Sequence, residues 1–157
     1  MQKFTTLVAK ILLTLLVLLV VLDWGYTTVY LHSSNRGKVE KVFNSKASNY
    51  DVVILGSSRA NNHFVSELFE KKGLKTFNYG MSGAHLFEAS LMLKLMAERN
   101  YKIKIVILEA DLGLCNEKES EAISAKFLPY IHHSEIIKNH FSGQENFNEL
   151  YYIPFYR

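Results

Sequence analysis

The chain has 157 residues, a length that suits one domain. It carries 18 basic and 15 acidic residues, and two of the basic ones, Lys3 and Lys10, belong to an N-terminal apolar segment. The remaining charge is so nearly balanced that it gives no electrostatic reason to expect a nucleic-acid partner. Cys115 is the only cysteine, which excludes an internal disulfide and argues against a thiolate metal site.

The N-terminal segment predicts a membrane anchor over residues 1–31. The chain is almost wholly apolar over residues 4–22, which is long enough to cross a bilayer core if Lys10 reaches toward the near face. No small-residue cleavage site follows Leu22, which favours an uncleaved signal anchor over a cleaved signal peptide. Three aromatic residues of the kind found at membrane interfaces come next: Trp24, Tyr26 and Tyr30.

The positive charges predict the orientation of this anchor. Lys3 and Lys10 lie at its N-terminal end, whereas the other flank opens with Asp23 and has no basic residue before Arg36. By the positive-inside tendency, we expect a single-pass protein of the inner (cytoplasmic) membrane. Its N-terminus would be cytoplasmic and the rest of the chain extracytoplasmic.

The remainder divides into a polar stalk over residues 32–49, with a short helix around Lys38 to Phe43, and an α/β domain over residues 50–157. Apolar runs of strand length alternate with segments of helical periodicity. The expected strands are Asp51–Leu55, Lys75–Tyr79 and Ile103–Leu108, and the expected helices between them are Phe64–Lys72 and Leu86–Arg99. This alternation predicts a three-layer parallel sheet that is covered on both faces.

Right-handed crossovers are the default for parallel strands, and we expect a flavodoxin-like strand order, 2-1-3, with the first strand in the centre. The turns that leave the three strands must then emerge at one edge of the sheet. They carry Ser57-Ser58, the stretch from Asn78 to Gly83, and Glu109-Ala110-Asp111. A hydroxyl nucleophile, a glycine-rich turn and a carboxylate pair that meet at one edge predict a functional site.

The segment LGSSRANNHF, followed by NYGMSG, resembles the first two blocks of the SGNH (GDSL-like) hydrolases. It is most similar to membrane-anchored bacterial members that act on, or help acylate, cell-surface polymers. The resemblance implies that Ser58 is the catalytic nucleophile and that the N–H groups of Ser58 and Gly83 form the oxyanion hole. Further polar residues at the same edge are candidates for the pocket: Ser57, Arg59, Asn61, Asn62, His63, Asn78 and Asp111.

Two family blocks are not matched. The third block, Gly-x-Asn-Asp, is replaced by Glu109-Ala110-Asp111, and no Asp-x-x-His block is present. A serine hydroxyl needs a neighbouring base. His63 and His85 follow the first two strands at the correct edge, but the simpler reading is that they flank helix starts, and Ser57 and Ser58 could equally be helix N-caps.

Beyond Asp111 the alternation of strands and helices stops. The segment Phe127–Phe141 predicts a helical, surface-bound region, and the last residues are rich in aromatic side chains. We expect the chain to be the N-terminal portion of a longer hydrolase-like protein, whose further strands would cover these aromatics. Alternatively, the aromatics reach into the membrane interface.

Two functions from different classes remain open. The first is a membrane-anchored SGNH-like ester hydrolase or O-acyltransferase that acts on an acylated glycan or cell-wall polymer, with little turnover in this form of the chain. The second is a non-catalytic membrane-anchored module for binding or envelope assembly. Neither requires a metal or a cofactor, and Gly56-Ser57-Ser58 lacks the later glycines of a dinucleotide-binding turn.

Overall fold

The computed structural model describes residues 2–33, 36–45, 47–113 and 118–156. The single cysteine, Cys115, lies outside them. The helices are α1 (Gln2–His32), α2 (Lys38–Asn44), α3 (Ser58–His63), α4 (Ser66–Glu70), α5 (Leu86–Glu98), α6 (Glu121–Ser124), α7 (Glu135–Phe141) and α8 (Phe147–Tyr152), with a 3₁₀ helix over Ala125–Tyr130. The strands are β1 (Asn49–Leu55), β2 (Thr76–Asn78) and β3 (Lys102–Leu108).

The three strands form one parallel sheet in the order β2-β1-β3, as the sequence predicts. The central strand β1 alternates its side chains between two apolar layers. Val53 and Leu55 belong to a large core on one face, whereas Val52 and Ile54 belong to a small cluster on the other. A central strand buried on both faces explains why its apolar run is continuous.

Helix α2 belongs to the large core, so the predicted stalk over residues 32–49 is wrong. Val39, Val42 and Phe43 are buried in the same cluster as α5, and the Arg99 guanidinium lies 3.9 Å from the centre of the Phe43 ring. The spacing of these three apolar residues places them on one helical stripe, which needs a partner surface. The short helix itself is confirmed, and it starts at Lys38 as expected.

The second face of the sheet is covered only in part. Helices α3 and α4 pack there through Ala60, Phe64 and Phe69. The edge strand β3 is less protected, and Ile105 remains 53% exposed and Leu108 43% exposed. The expectation of a sheet covered on both faces therefore holds for β1 but not for β3.

The region from Phe127 to Phe141 is packed into the core rather than bound at the surface. Phe127, Ile137 and Phe141 are buried beside the side chains of α5. The fully buried carboxylate of Glu88 ties the segment just before this region, from Ser120 to Ser124, to α5. Its Oε2 accepts a hydrogen bond from the His85 N–H at 2.7 Å, and its Oε1 accepts from Ser120 N at 2.7 Å and Ser124 Oγ at 2.9 Å.

Helix α1 exposes its apolar side chains along residues 4–22 and docks on the domain with its last turns. It is the one helix in the described ranges that is long and apolar enough to cross a membrane. Beyond Leu22, Asp23 Oδ1 accepts a hydrogen bond from Phe155 N at 2.9 Å, and the rings of Tyr30 and Tyr130 meet edge to face. Of the predicted aromatic belt, only Trp24 is largely exposed, because Tyr26 and Tyr30 pack against the domain.

The C-terminal aromatics pack partly on the chain's own residues. Tyr151 stacks on Phe147, with ring centres 5.4 Å apart, and also contacts His132. Phe155 lies against Tyr26 with ring centres 6.0 Å apart. These rings therefore have partners without the additional strands that we expected from the sequence.

Candidate functional site

The three strand-end turns meet at one edge of the sheet, as predicted. Met81 N donates a hydrogen bond to Gly56 O at 3.0 Å, and Glu109 N donates to Leu55 O at 3.0 Å. The turn after β1 is thus held on one side by the turn after β2 and on the other by the residue after β3. These backbone hydrogen bonds confirm that the three turns meet at one edge of the sheet.

Two glycines allow this close approach. Gly56 has a φ of +145°, and a Cβ there would lie 2.8 Å from Glu109 Oε2 and 2.9 Å from the Ala60 Cβ. A Cβ at Gly80 would lie 2.7 Å from the Ala60 Cβ and 2.8 Å from Asn61 N. Any larger residue at either position would push α3 away from the strand ends.

Ser57 is locked into the turn. Its hydroxyl donates to Glu109 Oε2 at 2.8 Å, its N–H donates to the same oxygen at 3.1 Å, and its Oγ accepts from Arg59 N at 3.2 Å. The side chain is only 8% exposed. Ser57 therefore acts as the N-cap of α3, and Glu109 fastens that cap to the end of β3.

Ser58, the predicted nucleophile, is half-buried at the first position of α3. Across the residues that the structure describes, no histidine or carboxylate hydrogen-bonds its hydroxyl. His63 is exposed at the end of α3. His85 caps α5, and its Nδ1 lies 2.7 Å from the Lys118 carbonyl oxygen. The capping interpretation of His85 is confirmed.

Other predicted pocket residues also serve the fold. The Asn78 amide donates to the carbonyl oxygens of Ala60 and Phe64, at 2.6 and 2.9 Å, and its Oδ1 accepts from Gly80 N at 2.9 Å. Arg59 Nε pairs with Asp111 Oδ2 at 3.0 Å. Asn78 thus joins α3 to the turn after β2, and the Arg59–Asp111 pair joins α3 to the end of β3.

The remaining predicted residues lie at the surface. Asn62 and Gly83 are both exposed, and Asn62 accepts a hydrogen bond from the side chain of Asn61. Gly83 has a φ of +86°, so its backbone conformation favours glycine, while a Cβ there would meet only the side chain of Ile123, at 3.8 Å. The need for glycine at this position is therefore conformational, unlike at Gly56.

Lys38 is a residue at this edge that the sequence analysis missed. Its Nζ donates to Asn61 Oδ1 at 2.6 Å and to the Gly80 carbonyl oxygen at 2.5 Å. Partial burial lowers the pKa of this amine to about 8. The sequence signal that could have located Lys38 is the apolar stripe of α2, because such a stripe indicates that the helix packs on a partner surface.

Lys38 lines a pocket of about 740 Å³ between the end of α1 and the sheet edge. We call it the juxtamembrane pocket because it lies at the end of the helix that is long and apolar enough to cross a membrane. Its volume is typical of small-ligand sites. Tyr26 and Tyr30 of α1 form one wall, and Asn61 and the turn from Gly80 to Ser82 form another. Of the predicted site residues only Asn61 is in the lining, and both Ser58 and Gly83 lie outside it.

The molecule is a mixed α/β domain with a three-stranded parallel sheet in the order 2-1-3, preceded by one long apolar helix. No protein-family model, no curated protein and no solved structure matches this chain. Among the described residues, no group of three His, Cys, Asp or Glu side chains is arranged to hold a metal ion.

Proposed function

We propose that the chain is a membrane-anchored domain of the cell envelope that binds a ligand beside the sheet edge and has no esterase activity of its own. The bond between Ser57 and Glu109, at 2.8 Å, carries this proposal. The Glu109 carboxylate is thereby held at the N-cap of α3 by two hydrogen bonds from Ser57. Within the described ranges Ser58 has no base hydrogen-bonded to it, and an unassisted serine hydroxyl is a poor nucleophile.

The anchoring part of the proposal is supported by the dimensions of α1. Residues 4–22 form a helical stretch of about 28 Å, close to the hydrocarbon thickness of a bilayer of about 30 Å. Lys3 lies before this stretch and Asp23 directly after it, so the positive-inside tendency favours a cytoplasmic N-terminus and an extracytoplasmic domain. Because the last turns of α1 pack on the domain, the domain would rest on the membrane surface.

Trp24, the only tryptophan, provides a test of this arrangement. In vesicles we expect its fluorescence to be blue-shifted and to be quenched most by lipids brominated near the headgroup, because Trp24 follows directly on the apolar stretch. The double variant Trp24→Phe, Tyr156→Trp moves the probe to the C-terminal aromatics. It should show a similar shallow depth, since Asp23 holds Phe155 at that level. The emission of a fully hydrated indole, with no quenching, would contradict anchoring.

The non-catalytic part of the proposal predicts that Ser58 is inert. Hydrolysis of short-chain p-nitrophenyl esters by the full chain in detergent should equal that of the Ser58→Ala variant. A rate that is about 10²-fold above that of the variant or more would mean that a base does reach Ser58. Ser142→Ala, at an exposed serine after α7, controls for reaction at surface hydroxyls.

A second candidate is the SGNH-like serine hydrolase or acyltransferase itself. One observation favours it: Ser58 is a partly exposed residue at the meeting point of three turns, and in the described part of the chain its side chain is not used for capping. For this candidate, a base would have to approach from residues or a partner that the described structure does not contain. The ester assay separates the two functions.

A further inference from the structure

The juxtamembrane pocket is positively charged. Arg36, Lys38 and Lys126 all line it, against one carboxylate, Glu40. In the ranges that the structure describes, none of the three basic side chains forms an ion pair. The Lys38 ammonium donates two of its three N–H groups to Asn61 and Gly80, so the third can donate a hydrogen bond to a ligand. The charge and the available donors suit an anionic group, and a phosphoryl group above all.

Glu40 supplies a second, independent observation. The residue is 3% exposed, and one carboxylate oxygen accepts from Arg36 N at 2.9 Å. The other, Oε1, is buried without a hydrogen-bond partner in the described structure, although the residue lines the pocket. A buried carboxylate oxygen without a donor costs free energy that a ligand hydroxyl would recover. The pocket therefore combines an anion site with an acceptor for a hydroxyl group.

The position of the pocket indicates where such a ligand comes from. Tyr26 and Tyr30, which form its α1 wall, follow Leu22 by one and two helical turns. They lie about 6 Å and about 12 Å beyond the end of the apolar stretch. The headgroup layer of a bilayer extends about 5–8 Å from the hydrocarbon core. If the anchor spans as proposed, the pocket begins at the depth of lipid headgroups.

We propose that the juxtamembrane pocket binds the headgroup of an anionic glycerophospholipid, with the phosphoryl group on Arg36, Lys38 and Lys126 and a headgroup hydroxyl on Glu40. The rings of Tyr26 and Tyr30 would pack against the glycerol carbons. This inference rests on the proposed function only in placing the domain at the membrane surface. Its electrostatic part can be tested in detergent, without a bilayer.

Native mass spectrometry of the full chain, extracted in detergent with equal amounts of phosphatidylglycerol and phosphatidylcholine, tests the proposal. The wild type should retain phosphatidylglycerol preferentially. The double variant Arg36→Gln, Lys126→Gln should lose that preference by about 30-fold, since each of the two basic groups near a lipid phosphate contributes about 1 kcal/mol and about 1.4 kcal/mol is tenfold. Neither side chain makes a hydrogen bond in the described structure, and Arg36 gives up a contact with the Tyr30 ring, whose centre is 5.4 Å from the guanidinium, so the variant should fold normally.

The control is Lys94→Gln, Lys102→Gln, which removes the same charge from exposed positions outside the pocket. Equal loss in both double variants, or no preference in the wild type, would overturn the proposal.

Soluble glycerol 1-phosphate distinguishes the source of the phosphoryl group. If it does not displace the lipid, the lipid-borne headgroup is the ligand. If it displaces the lipid in the wild type and binds the pocket variant about 30-fold more weakly, the pocket takes a soluble phosphate instead, and the lipid assignment is wrong.

A failure of this test would leave the inertness of Ser58 and the depth of Trp24 unaffected, because those are measured separately. Conversely, a reactive Ser58 would overturn the non-catalytic proposal without changing the lipid result. The two proposals can therefore fail independently.

Discussion

Replacing Glu88 by alanine is expected to destabilise the domain by about 3–5 kcal/mol, because two N–H groups lose their acceptor, at about 1–3 kcal/mol each, and a cavity is left. The carboxylate is fully buried and accepts hydrogen bonds from His85 N, Ser120 N and Ser124 Oγ. Its removal leaves the N–H groups of His85 and Ser120 without this acceptor and opens a cavity beside α5, while Ser124 Oγ keeps Glu119 as a second acceptor, at 3.3 Å. Pulse proteolysis in detergent across a urea series would measure the change in the free energy of unfolding.

Glu145→Ala is the matched control for this substitution. Glu145 is exposed in the loop before α8, so its removal should change the free energy of unfolding by less than about 0.5 kcal/mol. If Glu88→Ala were as mild as the control, the network would not hold the segment from Ser120 to Ser124 against α5.

The second large effect is expected for Val42→Asp. Val42 is completely buried between α5 and the 3₁₀ helix, so a carboxylate there would be desolvated without a partner. We expect a loss of about 4 kcal/mol or more, which is enough to unfold many domains of this size. The same urea series with proteolysis measures it.

Val65→Asp makes the same chemical change at a valine that is 47% exposed, at the N-cap of α4. Aspartate is favourable at an N-cap, so this variant should be near neutral. A stalk over residues 32–49 would predict that Val42→Asp is near neutral as well. Equal stabilities of the two variants would therefore support a polar stalk and would mean that α2 does not pack in the core.

The sheet was predictable from the sequence because its signals are local. The continuous apolar run of β1 and the Gly56 turn after it mark a buried strand wherever they occur. The strand order 2-1-3 was expected from the flavodoxin-like pattern, since right-handed crossovers alone are compatible with more than one order. Helix α5 was equally clear, since its long apolar pattern starts just after His85.

The role of residues 32–49 was not predictable in the same way. The segment is polar overall, and the apolar stripe of Val39, Val42 and Phe43 is only one helical turn long. Whether such a stripe packs inward depends on partners such as Arg99, which are distant in sequence. The burial of Phe127 and Phe141 has a similar cause, because Glu98 of α5 accepts hydrogen bonds from Ser134 and Ile136 in that region, more than thirty residues away in sequence.

The serine turn was located from sequence, but its chemistry was not. The decisive fact is that Glu109 binds Ser57, a neighbour of the predicted nucleophile, and this depends on side-chain geometry across 52 residues. The resemblance to SGNH hydrolases rests on the same short turn. It predicts which serine occupies the nucleophile position, and it does not determine whether a base lies beside it.

The most direct test of the account is labelling with a fluorophosphonate probe, because it requires no knowledge of a substrate. Intact-mass analysis of the full chain in detergent should show no adduct, in the wild type as in Ser58→Ala, since a serine without a base is not activated. A stoichiometric adduct on the wild type that Ser58→Ala abolishes would contradict the account and make this chain a serine hydrolase.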